Sequence, residues 1–131
     1  MTLLTKQELI DAPDIVTEEV YVPQWGGSVL VRTMTELQRG KILAALYEQR
    51  ANGQVLRLQE LQLRFCGCSI VDESGKRMFS DQELAILGKK SAAAIQVIFE
   101  VVARLNGLSN EQVEELSKNS DETPSDDSPS D

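Results

Sequence analysis

The 131-residue chain has no histidine, two cysteines, one tryptophan and few aromatic side chains of any kind. Each shortage removes a class of function. Without histidine there is no imidazole general base, no histidine-based catalytic triad and no mixed Cys/His zinc site. Two cysteines are too few for an all-cysteine zinc site. Basic side chains are also in deficit, 13 Lys and Arg against 21 Asp and Glu. This argues against the clustered positive surface that a nucleic-acid partner requires. Long apolar runs are missing as well. The most apolar stretch, Ala92 to Leu105, is broken by Gln96, Glu100 and Arg104 and does not suit a bilayer span. The opening residues, Met1 to Glu8, hold too short an apolar run for a signal-peptide core. The expectation is a cytoplasmic protein with no membrane association. Its Cys66-Gly67-Cys68 pair is then reduced and sits as two small residues on a packed face.

What is present begins with the placement of charge. Residues 1–108 carry 13 acids and 12 bases, a net of −1, whereas residues 109–131 carry 8 acids and one base, Lys118, a net of −7. The last twelve residues, Ser120 to Asp131, contain only Ser, Asp, Glu, Thr and Pro. Such a segment buries too little surface to offset the entropy of ordering. The division expected is a single mainly helical domain over 1–119 and a disordered acidic tail over 120–131. The tail is a solubility device, a mimic of a charged ligand or a docking segment.

Helix starts are legible from capping boxes, in which Ser or Thr precedes Glu or Gln by three residues, and from apolar staples flanking them. Thr5/Glu8 with Leu4 and Leu9, Ser80/Glu83 with Phe79 and Leu84, and Ser109/Gln112 with Leu108 and Val113 show both features. Thr35/Gln38 shows the box alone. Pro13 ends the first helix early. Residues 16–22 and 28–32 are β-branched and partly alternating, and Pro23 to Gly27 supplies turn residues between them, so a β-hairpin is expected. Val16, Glu18, Val20 and Val22 share one of its faces.

Helix 35–50 places Leu43, Leu46, Tyr47 and Arg50 on one side, with Ile42 and Ala45 adjoining, and Gly40 suggests close packing. Residues 54–71 fit either a helix or partly a strand, and length favours helix. Val71 to Phe79 reads as a surface turn closed by Asp72 and Gly75, with Met78 and Phe79 returning to the core. A short helix over 80–88 precedes a central helix over 91–106, whose broad apolar face carries Ile95, Ile98, Phe99, Val102 and Leu105. Gly107 and Leu108 look like its stop signal. A last helix from Ser109 to about Lys118 is anchored only by Val113 and Leu116. The fold class is therefore mainly α (α+β), a helical domain with an N-terminal β-hairpin packed on it.

No catalytic constellation is visible. The carboxylate pairs Asp11/Asp14, Glu18/Glu19, Asp72/Glu73 and Glu114/Glu115 lie at turns or on polar faces, where solvated surface explains them. Gly26-Gly27 lacks the Gly-Lys-Ser/Thr of a phosphate loop. Asp72 to Gly75 lacks the ligand ladder of a calcium loop. A non-enzyme without cofactor or metal is expected. Trp25, the single tryptophan, falls at the hairpin tip. It either folds over the hairpin onto the helical core or serves as a protein-binding anchor.

The order of these segments resembles a known family. A short helix leads into Glu19-Val20-Tyr21-Val22-Pro23-Gln24-Trp25-Gly26-Gly27-Ser28-Val29-Leu30-Val31-Arg32, then Met34-Thr35-Glu36-Leu37, the Asp72 to Phe79 turn, and Leu105-Asn106-Gly107-Leu108-Ser109. Over roughly residues 5–119 this looks like the tail assembly chaperones of long-tailed bacteriophages and prophages. The resemblance implies a non-enzymatic factor in the host cytoplasm that holds the tape measure protein, helps recruit tail tube protein and is not kept in the mature virion. It also implies a longer frameshifted form of the same chain. Ser117-Lys118-Asn119 and Gly88-Lys89-Lys90 are both compatible with a slippery codon run, and a shift at Lys118-Asn119 would exchange the acidic tail for another domain. Expected contact residues are Trp25 and Tyr21 at the hairpin tip and Val113 and Leu116 on the last helix. The alternative is a structural phage component, such as a head–tail joining or tail completion protein; a host adaptor unrelated to phage is a third reading.

Overall fold

The computed structural model describes residues 2–53, 58–109, 111–112 and 115. The element order is α1 (Lys6–Asp11), β1 (Thr17–Val22), a 3-10 turn (Pro23–Trp25), β2 (Gly27–Arg32), α2 (Glu36–Ala51), α3 (Leu58–Ser69), β3 (Ile70–Val71), a second 3-10 turn (Asp81–Glu83), α4 (Leu84–Gly88) and α5 (Ala92–Leu105). The fold is mainly α with one small antiparallel sheet of order β1-β2-β3.

Local chemistry sets most of these boundaries. At Thr5, Thr35 and Ser80 the capping box is complete, the side chain accepting from the third residue's N–H and that residue's side chain accepting from the cap's own N–H. The reciprocal pair also forms between Ser109 and Gln112, at 2.9 and 3.0 Å. Ser80 opens a 3-10 turn before α4 rather than one continuous helix. The end of α5 is a Schellman stop. Gly107 has φ of 68°, its N–H donates to the Arg104 carbonyl at 3.3 Å, and the Leu108 N–H donates to the Ala103 carbonyl at 2.8 Å. The last helix expected after Ser109 lies almost wholly outside the described residues, as does the acidic tail.

In the hairpin Val20 pairs with Val29 and Val22 with Gly27. Because side chains alternate across a strand, Val20, Val22 and Val31 are buried against the helices, while Tyr21 points outward. Val71 pairs with Leu30 and Ile70 with Val31, so the ambiguous 54–71 stretch is a helix followed by a two-residue strand; residues 54–57 are outside the described set. The central element is α5, packed on both β1 and β2 and on α3. Phe65 of α3 meets Phe99 of α5 with ring centroids 6.5 Å apart, and Ile98 and Val102 are fully enclosed. One apolar cluster joins sheet and helices. Two side-chain ties fix the open end of the hairpin under α5. Arg104 pairs with Glu18 at 2.7 Å, and the Asn106 Oδ1 accepts from the Met34 N–H at 2.8 Å.

Three expectations are corrected. In α2 the buried side chains are Ile42 and Leu46, whereas Tyr47 is 61% exposed and stacks outside against Arg50, 5.7 Å from its ring centre. The α2 face is set by where α3 lies, which places the contact one residue earlier in each turn. Gly40 has open space beside it; the glycine at a close approach is Gly67, where a Cβ would strike the Leu84 side chain of α4. Met78 does not return to the core and stays about half exposed, while Phe79 packs at its edge. Among the described residues no helix is long and apolar enough to cross a membrane.

Candidate partner-binding surface

The hairpin turn is built by residues with fixed backbone preferences. Pro23 presets the first 3-10 position, and Gly26 takes the left-handed conformation at φ of 66°. The Gly26 N–H closes the turn on the Val22 carbonyl at 3.0 Å. This geometry turns Trp25 back toward the helices, where one side of its indole packs against the core. The other side remains open, with the Lys90 ammonium 5.7 Å from the ring centre, within range for a cation–π contact.

Trp25 forms one wall of an apolar groove of about 330 Å³. Val29 and Ile70 supply its floor from the sheet, Met78 and Phe79 one end, and Ile86, Leu87 and Lys90 the wall from α4 and its end. Ile86 is 52% exposed and Met78 49% exposed. Lys90 contributes the charged group of this lining, so the groove suits an apolar occupant with acidic flanks. Trp25 therefore closes the edge of the core and also presents a face to solvent.

The structure does not bring Tyr21 to this groove. Tyr21 is on the outer face of the sheet and 61% exposed. Val113 and Leu116 lie outside the described residues. Sequence reasoning missed Met78, Ile86 and Lys90. Ile86 was legible as an apolar residue in a helix too short to bury it, but its neighbourhood with Trp25 arises only from the fold.

Two other depressions among the described residues have mixed polar and apolar linings. A depression of about 440 Å³ on the outer face of the sheet is edged by Glu19, Asp72 and Glu73. The Asp72 carboxylate is engaged within its own turn, accepting from Ser74 Oγ at 2.6 Å, Ser74 N at 2.9 Å and Lys76 N at 3.0 Å. The Ser74 hydroxyl, followed by the Lys76 amide, holds its pKa below the usual carboxylate value. No group of three or more His, Cys, Asp or Glu is placed to hold a metal ion among the described residues. Cys66 and Cys68 are unbridged and buried. Burial pushes the Cys66 thiol up to about 12. Burial also raises Cys68, against the opposing pull of the Arg77 charge, so neither thiol is an activated nucleophile at neutral pH. Compared with family models, with curated proteins and with solved structures, the chain matches none.

Proposed function

We propose that the protein is a non-enzymatic tail assembly chaperone of a long-tailed phage or prophage. It acts in the host cytoplasm, holds the tape measure protein and helps recruit tail tube subunits. The sequence support is the V-x-V-P-x-W-G-G-x-V-x-V-R stretch over residues 20–32 followed by Thr35. The physical support is the open apolar groove beside Trp25. A tape measure protein is a long apolar helix-former that aggregates when uncovered, and an apolar groove with a basic rim takes one face of such a helix. The acidic tail keeps the complex dispersed.

The test is co-expression with the long tape measure gene that this reading expects immediately downstream. The expected result is a soluble client that co-purifies with this chain and is lost on Ile86→Asp, a half-exposed position whose substitution leaves the fold intact. An insoluble client and no co-purification overturn the reading. Recovery of the chain in purified virions at fixed stoichiometry would instead make it a joining or completion component. The gene itself tests the frameshifted form, which requires repeated adenines at the Lys118 and Asn119 codons and an overlapping downstream frame.

A further inference from the structure

The N-terminal arm is anomalous in physical terms. α1 is six residues long, has a complete capping box and buries none of its side chains. So short a helix has no independent stability in water. Yet Leu3, Leu4, Leu9 and Ile10 are all more than half exposed, Leu3 at 85%. Among the described residues nothing covers this apolar arm, and the Trp25 groove is an apolar concavity open to receive such a surface.

Their charges also match. Residues 2–16 carry Lys6 against Glu8, Asp11 and Asp14, a net of −2. The groove's rim carries Lys90, preceded by Lys89.

The arm of one chain is not seated in its own groove, since no residue of 2–16 lines it and α1 buries no side chain. Val16 is pinned at the open end of the hairpin, its N–H donating to Thr33 Oγ1 at 3.1 Å and its carbonyl accepting from Thr33 N at 2.9 Å. The groove opens at the turn end, about 20 Å further along a six-residue strand, and across β2 from the edge strand β1.

We propose that α1 is an exchange arm that docks in the Trp25 groove of a second copy of this chain, the two copies exchanging arms reciprocally. A single short arm covers too little for a specific contact, which takes about 1,200 Å² in total. A two-fold exchange doubles the contact and gives a closed dimer rather than a filament. If the groove also takes a client helix, as the reading above holds, self-association and client capture compete. The dimer itself does not rest on that reading.

The experiment is sedimentation velocity on the purified full chain alone, with no client present. The wild-type chain is expected to be a dimer. Leu9→Asp in the arm and Ile86→Asp in the groove are each expected to weaken association by roughly tenfold or more, the effect of losing a central contact residue. Circular dichroism melts of both should stay close to the wild type, because both positions are exposed. An equimolar mixture of the two variants is expected to recover a heterodimer, since one intact arm then meets one intact groove. A chain monomeric at every concentration overturns the proposal, as does an association that survives deletion of residues 2–12 or a mixture no more associated than its parts. A monomer whose α1 resists proteolysis places the arm on its own chain and also overturns it. Failure here leaves client capture untouched, and failure of client capture leaves this result standing.

Discussion

Asn106 joins two parts of the chain that are 72 positions apart, and its replacement tests whether that join is structural. Its Oδ1 accepts from the Met34 N–H at 2.8 Å, and its Nδ2 donates to the Val102 carbonyl at 2.8 Å. Met34 is buried at 7% exposure, so Asn106→Ala leaves its N–H without a partner where water has poor access. An unsatisfied buried donor costs about 1–3 kcal/mol, and loss of the second bond adds about 1 kcal/mol. The expected destabilisation is about 2–4 kcal/mol. For a domain of this size, with a urea m-value of about 1.5 kcal/mol/M, the midpoint falls by about 1.3–2.7 M. Asn106→Asp refines the test. It keeps the acceptor for Met34 but turns a carboxylate oxygen toward the Val102 carbonyl, at a helix C-terminus where negative charge is unfavourable. The fold then raises that carboxyl's pKa, and the protonated acid donates where Nδ2 did. Stability is therefore retained at low pH and lost as pH rises through the raised value. The assay is equilibrium urea unfolding of the wild type and both variants from about pH 4 to pH 7, the span over which a raised carboxyl titrates. A loss below about 0.5 kcal/mol for Asn106→Ala, within the range of an ordinary surface substitution, would refute the argument. So would a pH-independent gap between Asn106→Asp and the wild type.

Phe99→Ala is expected to cost about 3–5 kcal/mol by cavity formation, and a double-mutant cycle with Phe65 should show a coupling of about 0.5–1.5 kcal/mol from their tilted rings. With its thiol pushed up to about 12, Cys66 should react with an alkylating reagent in mild base only as the domain opens, so its rate should track unfolding; reaction at the rate of a free thiol would contradict its burial. Gly75→Ala should destabilise by about 1–2 kcal/mol in a thermal or urea melt, because Gly75 has φ of 86° with the Arg32 guanidinium against the would-be Cβ. Asp72→Asn should cost stability at neutral pH, and the gap should close in acid. The folded carboxyl is held below its ordinary value of 3.8, so its contribution is present above that value and lost as pH falls through the folded one.

The parts of the fold that were legible are those determined within a few residues of chain. The boxes at Thr5, Thr35, Ser80 and Ser109, the stop at Gly107 and Leu108, and the closed turn at Asp72 all satisfy backbone groups locally, so residue type and spacing suffice to place them. The apolar face of α5 was legible because its pattern is continuous over about four turns. The misplaced features depend on distant partners. β3 is two residues long and exists only because Ile70 and Val71 meet Val31 and Leu30. Tyr47 faces outward because α3 packs on the Ile42–Leu46 side. Gly67 rather than Gly40 marks a close approach because α4 arrives there, which spacing within α3 does not encode. The same distinction runs through the candidate surface. Trp25 stood out as the lone tryptophan beside two glycines, but Ile86 and Lys90 join it from a helix far along the chain.

These observations bear on why the apolar surplus lies where it does. α5 and the inner face of the hairpin form a rigid centre, with Val20, Val22, Val31, Ile98 and Val102 buried together and the ends tied by Arg104 and Asn106. A rigid centre can carry uncovered apolar groups at its margins without unfolding, but contiguous exposed apolar surface carries an aggregation cost. In this domain two such surfaces are the α1 arm and the Trp25 groove. Scattered single residues would need no partner. Two patches of opposite flanking charge define instead a complementarity that a partner must match. That constraint is what separates a binding surface from leftover core. It also explains why Ile86, the most exposed of the groove's aliphatic residues, is the informative position to change, since a polar side chain there removes an apolar contact that the folded domain itself does not use.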